Sequence, residues 1–247
     1  TLEHCNYALR EGVIVEYIGT HRRKLLARAT WPDPRWRSVI ELAERCNYHK
    51  EHAEHVADIA LRLFDELAPL HELNGNYREL LHVAALLHDI GHMIGHQAHH
   101  KHSYYLISNG KLKGFDAQEI EVIANVARYH RKDRPRKSHY SFQQLDRRHR
   151  DPVRKLAVLL RIAEALDRTH AGIIDGVSCE VSEDAVECRA RTDRDAELEL
   201  WTARRCADPF ERIFERKLIV RGALTGHEAD EAETDLQENQ VGHDSSE

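Results

Sequence analysis

Apolar residues return every three to four positions through most of residues 33–167, the period of amphipathic helices. Asp33 followed by Pro34 suits a helix start, and Trp36, Val39, Ile40, Leu42 and Ala43 line one face to about Cys46. Residues 50–68 carry a second stripe: Val56, Ile59, Ala60, Leu63, Phe64 and Leu67. Pro69 and the Asn74-Gly75 turn end that unit. Leu80 to Ile90 predicts the next helix, and Ser103–Ile107 starts a short one closed by Asn109-Gly110. Asp116 with Glu119 forms a capping-box pattern ahead of Ile120, Ile123, Ala124 and Val126. Pro152 is read as opening a last long helix, Val153 to Asp167. From Gly172 the period shortens to two. Residues 177–181, 185–190 and 197–201 alternate as half-buried antiparallel strands do. Asp208-Pro209 then predicts a helix with Phe210, Ile213 and Phe214, and residues 217–220 a closing strand. Residues 8–17 fit either a short strand or an amphipathic helix. The expected fold class is mainly α: a helical bundle followed by a small α+β subdomain of antiparallel strands plus helix. Its expected divisions are an N-terminal segment (1–32), a helical domain (33–171), the α+β subdomain (172–221) and a tail (222–247).

Composition narrows the setting. No apolar run approaches the roughly 18 residues of a membrane span, and no apolar stretch follows a basic N-terminus as in a signal peptide. The five cysteines (Cys5, Cys46, Cys179, Cys188 and Cys206) are scattered and form no CxxC, which fits a reducing cytoplasm rather than a disulfide framework. The net charge of −6 conceals an asymmetry. Residues 222–247 hold eight acidic groups and no Lys or Arg, while the rest carries 36 basic against 34 acidic groups. The tail, poor in apolar residues, is expected to be disordered. Residues 128–155 run the other way, with eleven Lys or Arg and three Asp. That basic run points to an anionic partner, though sparse stacking aromatics and no binding signature argue against specific nucleic acid.

The candidate chemistry is histidine and carboxylate. His88-Asp89 closes the apolar run 83–87. His52 and His55 lie on a helix before it, Glu164 and Asp167 on a helix after it, and residues 92–102 hold five histidines: His92, His96, His99, His100 and His102. Neighbours on a helix point about 100° apart, so an imidazole and a carboxylate at adjacent positions can still reach one ion. Such donors suit Mn, Fe, Co, Ni or Zn, and Mg less well. With no glycine-rich phosphate loop, phosphate binding would fall to the metal and to Arg or Lys.

The order H…HD…D in these segments resembles the HD superfamily of metal-dependent phosphohydrolases. The runs 52–57, 85–91, 99–107, 127–131 and 160–170, together with 197–201 and 210–212, resemble the C-terminal region of the exopolyphosphatase / guanosine pentaphosphate phosphohydrolase (Ppx/GppA) family over about residues 35–220. Residues 8–13 resemble the junction at which that family's second actin-like domain ends. The resemblance implies an HD-domain bundle, a hydrolase and a divalent metal held by His52, His88, Asp89 and Asp167, with Glu164 the alternative to Asp167. His100 and His130 match places for second-metal ligands, and the implied catalytic residues are His88, Asp89 and His130. Arg131, Lys132, Arg134, Arg136 and Lys137 are the expected phosphate-binding residues. The expected partner is a phosphorylated small molecule (a nucleotide or alarmone) or polyphosphate, with a homodimer a further expectation. In that family, exopolyphosphatase chemistry belongs to two actin-like domains with glycine-rich loops, and this sequence contains neither loop. Two readings follow: a phosphohydrolase, or a non-catalytic polyphosphate-binding or dimerisation module with a vestigial metal site. The chain would be either a fragment of such a protein or a free-standing HD protein.

Overall fold

A computed structural model of the chain describes residues 33–131 and 134–224, along with Val13, Ile14, Glu16 and Tyr17. The expected tail lies outside the described residues from 225 on, whereas its first three residues, 222–224, belong to the last strand; most of the junction-like segment also lies outside them. Four of the helices begin where a side chain accepts an orphan backbone amide. Asp33 caps α1 (Pro34–Arg45) through Arg35 N at 2.8 Å, and His49 caps α2 (Lys50–Glu66) through His52 N. A short α3 (Ala68–His71) follows. Asn74, read from sequence as part of a turn, is the N-cap of α4 (Gly75–Leu87). That helix therefore starts earlier than its apolar run, and it stops at Leu87, just before His88. A 3-10 turn (Ile90–Met93) leads to α5 (His99–Ser108), and α6 (Ala117–Arg128) opens with the expected capping box of Asp116 and Glu119. After the short α7 (Tyr140–Gln143), α8 (Arg147–Ala165) begins one and a half turns ahead of Pro152. Pro152 is thus interior, in the second turn, where its missing N–H costs one backbone hydrogen bond of the helix.

Three strands form the sheet: β1 (Gly176–Val181), β2 (Ala185–Thr192) and β3 (Lys217–Leu224), in that order across it. β1 and β2 pair antiparallel, with Cys179 opposite Cys188, whereas β3 joins β2 in parallel. The parallel strand requires a crossover, which α9 (Glu197–Arg204) and α10 (Ala207–Phe214) supply. The alternation at 197–201, read as a strand, is therefore helical. Five residues cannot separate the two periods, and the deciding contact is distant: buried Glu199 accepts from the Thr169 backbone N–H (3.1 Å) and hydroxyl (2.7 Å).

α2 is the hub, packed against α4, α8 and β1, while α6 packs on α4, α5 and α8. One apolar core runs from α1 through the helices to the inner face of the sheet. Among the described residues, no helix is long and apolar enough to cross a membrane. One glycine sets the later chemistry. A Cβ on Gly91 would lie 2.1 Å from the His99 carbonyl and 2.5 Å from Ser103 N, and Gly91 N donates to Ser103 Oγ (2.9 Å). Only glycine lets the 3-10 turn press onto α5. Gly91→Ala should cost about 2–3 kcal/mol, read as a lower denaturation midpoint; an unchanged midpoint would show that the turn yields freely.

Candidate metal centre

The buried end of α4 delivers His88 into the interior. Its Nδ1 donates to the Ala85 carbonyl at 2.6 Å, satisfying an acceptor that the helix end leaves open. His130, past the end of α6, repeats the arrangement with the Ala127 carbonyl at 2.6 Å, and His99 Nδ1 donates to the His96 carbonyl at 3.1 Å. His52, on α2, donates Nδ1 to Asp167 Oδ2 at 2.7 Å. A carbonyl or carboxylate oxygen can only accept, so each of these rings, in its neutral form, carries its proton on Nδ1 and a lone pair on Nε2.

Those lone pairs converge on Asp89. Its Oδ1 lies 3.2 Å from His99 Nε2 and 3.6 Å from His130 Nε2. Its Oδ2 lies 3.5 Å from His92 Nε2, 3.7 Å from His88 Nε2 and 3.9 Å from His52 Nε2. His99 Nε2 and His130 Nε2 are 3.3 Å apart. His52 Nε2, His88 Nε2 and Asp89 Oδ1 are buried with no hydrogen-bond partner. Two triads have ligating atoms within 4.8 Å of one another, His52–Asp89–His170 and Asp89–His99–His130, so the Asp89 carboxylate stands between two donor groups. His170 reaches the first by stacking on His52, with centroids 3.6 Å apart and planes 7° from parallel.

The electrostatics agree with this geometry. Without a cation, burial tends to raise the Asp89 carboxyl pKa, but His88, His130, His99 and His92 attract its negative charge when they are protonated and hold the group below the usual carboxylate range. Burial pushes His130 well below the ordinary imidazole value, with the His88 field adding to it, and lowers His92, His99 and His170. His55 moves the other way. Asp167 Oδ1 is 3.2 Å from its Nδ1 and raises it against burial, and its Nε2 donates to the Ile174 carbonyl at 2.8 Å. A buried imidazole with a depressed pKa stays neutral when folded but protonates more readily when unfolded. Its stability contribution is present above the unfolded pKa and lost as pH falls below it. His55 contributes the opposite slope, lost as pH rises through its raised pKa. With the depressed groups in the majority, the chelator-treated chain should lose thermal stability between about pH 7 and 5. A midpoint that stays flat or rises over that interval would contradict the burial of neutral imidazoles.

The structure brings His52, His88, Asp89 and His130 together around one carboxylate and sorts the remaining candidates. Asp167 sits behind His52, its Oδ1 accepting Gly172 N at 2.9 Å, and does not face Asp89. Glu164, the alternative, pairs with Arg168 at 3.1 Å away from the cluster. His100 is buried edge-on to His99 and His130, with centroids 5.9 and 6.5 Å away. Its neighbour His99 holds the place beside Asp89, because adjacent helical side chains diverge by about 100°. His92, His99 and His170 were not singled out as ligands from sequence; the histidine density of residues 92–102 was the signal for the first two. The basic run divides. Arg131 lies close enough for its charge to help depress His92 and His99. Lys132 is outside the described residues. Arg134 and Arg136 line a cavity of about 320 Å³ with Arg154, Arg161 and Arg212. Lys137 lines an adjoining cavity with Arg147 and Arg150, and Arg154 belongs to both.

Comparison with known proteins places the chain. The family model described as "Ppx/GppA phosphatase, domain III" matches residues 35–201. The guanosine-5'-triphosphate,3'-diphosphate pyrophosphatase of Pseudoalteromonas translucida (strain TAC 125) is 35% identical over 129 residues, 51% of this chain and 24% of that protein. The protein of the same name from Aeromonas hydrophila subsp. hydrophila is 31% identical over 185 residues, 72% of this chain and 34% of that protein. The chain thus spans about a third or less of the length of these curated relatives. On the extent of the family match, the chain belongs to the Ppx/GppA phosphatase family, its matched region corresponding to domain III.

Proposed function

We propose that this chain is a metal-dependent HD-type phosphohydrolase acting on a phosphate ester or anhydride, with the names of its relatives pointing to nucleotides or alarmones as the first substrates to test. The observation that carries this reading is the convergence of Nε2 lone pairs on one carboxylate. Neutral imidazoles cannot donate to Asp89 from those atoms, and a buried acceptor without a donor costs about 1–3 kcal/mol. A divalent cation resolves the conflict. His52, His88 and Asp89, with His170 beside them, would hold one ion; Asp89, His99 and His130, with His92 at the edge, would hold a second. Imidazole with carboxylate favours Mn, Fe, Co, Ni or Zn over Mg. Bound there, a divalent ion supplies a charge that polarises a phosphoryl oxygen and acidifies water.

The chain's own residues do the rest. The Ala85, Ala127 and His96 carbonyls fix the tautomers of His88, His130 and His99. Asp167 does the same for His52 and fixes the orientation of that ring. Asp167 is therefore a positioning residue in this reading. Arg131, beside His92 and His99, is placed to meet an anionic group arriving at the centre. Phosphate release should be screened over nucleotides, alarmones and short polyphosphate with Mn and with Mg. Turnover that falls at least a hundredfold in His88→Ala supports the reading, and turnover unaffected by that change rejects it.

A second reading, oligophosphate binding, is favoured by the arginine-lined cavity. No carboxylate lies within ion-pairing distance of Arg134, Arg136, Arg154 or Arg212 among the described residues. Guanidinium groups bind phosphate in bidentate fashion. Tripolyphosphate should bind in the presence of chelator, weaken steeply with salt, and lose about tenfold in affinity in Arg136→Gln/Arg212→Gln, with His88→Ala unchanged. Affinity indifferent to both salt and the arginine changes would exclude this cavity. Long polyphosphate should be bound yet hydrolysed poorly by the chain alone.

A further inference from the structure

A third histidine group lies at the solvent edge of the Asp89 cluster. His92, His96 and His99 each offer a ring nitrogen within 4.8 Å of the other two. The His92 and His99 rings stack with centroids 4.0 Å apart, and His92 and His96 are 4.9 Å apart. Two of the three are accounted for by the inner group, since His92 and His99 both face Asp89. His96 is not. It is exposed, and among the described residues its imidazole has no hydrogen bond and no carboxylate partner; its ring neighbours are His92 and His99. The backbone brings it there deliberately. The Gly91–Ser103 contact clamps the 3-10 turn to α5, Ala98 turns the chain with φ of 58°, and the His96 carbonyl receives His99 Nδ1.

We propose that His92, His96 and His99 form an outer transition-metal site through which an ion enters the Asp89 centre. An all-imidazole face suits Zn, Ni, Co or Cu(II) and is poor for Mg or Ca. Metal–nitrogen bonds near 2.0–2.1 Å require the three nitrogens to close to about 3.3 Å from one another. Buried His99 is the anchor, and exposed His92 and His96 supply the movement. Because His92 and His99 serve both positions, an ion moves inward by exchanging His96 for the Asp89 carboxylate. The transfer step rests on the metal-centre reading; the existence of the outer site does not.

The test uses the full chain and Co(II) or Zn(II) alone. In an Asp89→Asn background, which removes the inner carboxylate charge, one ion should still bind, and adding His96→Ala should weaken it at least tenfold. In the native background, His96→Ala should reach the same final metal content but load at least fivefold more slowly in stopped-flow mixing. Equal affinities in the first comparison, or equal loading rates in the second, would overturn the proposal. His96 is exposed, so its variants are not expected to unfold, and His96→Gln gives a second substitution at the same place. If Asp89→Asn does not fold, the loading rates decide. If wild type and Asp89→Asn bind metal alike, the inner centre fails while the His96 comparison still judges the outer one.

Discussion

The His88→Ala/Asp89→Ala double variant should lose the divalent ion of the proposed inner centre, binding it at least a hundredfold more weakly than the native chain. Asp89 presents its two oxygens to separate groups of imidazole Nε2 atoms, His99 and His130 on one side and His52, His88 and His92 on the other. Removing it takes from both the only carboxylate that the candidate ligand groups contain among the described residues. Removing His88 takes a ligand whose tautomer is fixed by the Ala85 carbonyl and whose Nε2 has no other employment. Elemental analysis after gel filtration in metal-free buffer measures the outcome. Unchanged metal-to-protein stoichiometry would sink the Asp89 centre, because no other group of the cluster supplies a compensating charge.

Asp167→Asn should be the most damaging change outside the cluster itself. The Asp167 side chain is 1% exposed. It accepts from His52 Nδ1 and Gly172 N and lies 3.2 Å from His55 Nδ1. Burial works against its ionisation, yet these donors hold its pKa below the ordinary carboxylate value. An amide can accept fewer of these hydrogen bonds and turns an N–H toward existing donors. Hydrogen bonds to a charged group are worth about 1.5–3 kcal/mol each, so a loss of about 3 kcal/mol is expected. Metal affinity should fall about 10- to 100-fold, the usual effect of removing a carboxylate that orients a ligating histidine. Glu164→Gln is the control. Its carboxylate meets only the partly exposed Arg168, an interaction worth under about 1 kcal/mol, and metal content should not change. Stability lost with metal affinity retained would make Asp167 a structural residue alone. Equal effects of the two substitutions would return Glu164 to the site.

Much of the helical architecture was legible along the chain because its signals are local. Asp33 before Pro34, the Asp116–Glu119 box and the apolar stripe from Val56 to Leu67 act within a few residues, and all stand where the pattern puts them. His88-Asp89 was conspicuous for the same reason. The misread elements are those whose decision is made elsewhere. Residues 197–201 alternate like a strand, yet Thr169 holds Glu199 inside a helix. The last strand stands where the pattern puts it, but the α9–α10 crossover sets it parallel to β2 rather than antiparallel.

The sequence by itself therefore determined that histidines and acids from three helical segments would be available, and that they would accompany a buried helix end. Tertiary structure decided which of them meet. His99 rather than His100 faces Asp89, because the packing of the 3-10 turn at Gly91 sets the rotation of α5. Asp167 stands behind His52 rather than beside it, because α2 and α8 approach with the His52 ring between the two carboxylates. A one-residue step around a helix turns a side chain by about 100°. Spacing along the chain names the donors, but only the contact between elements aims them.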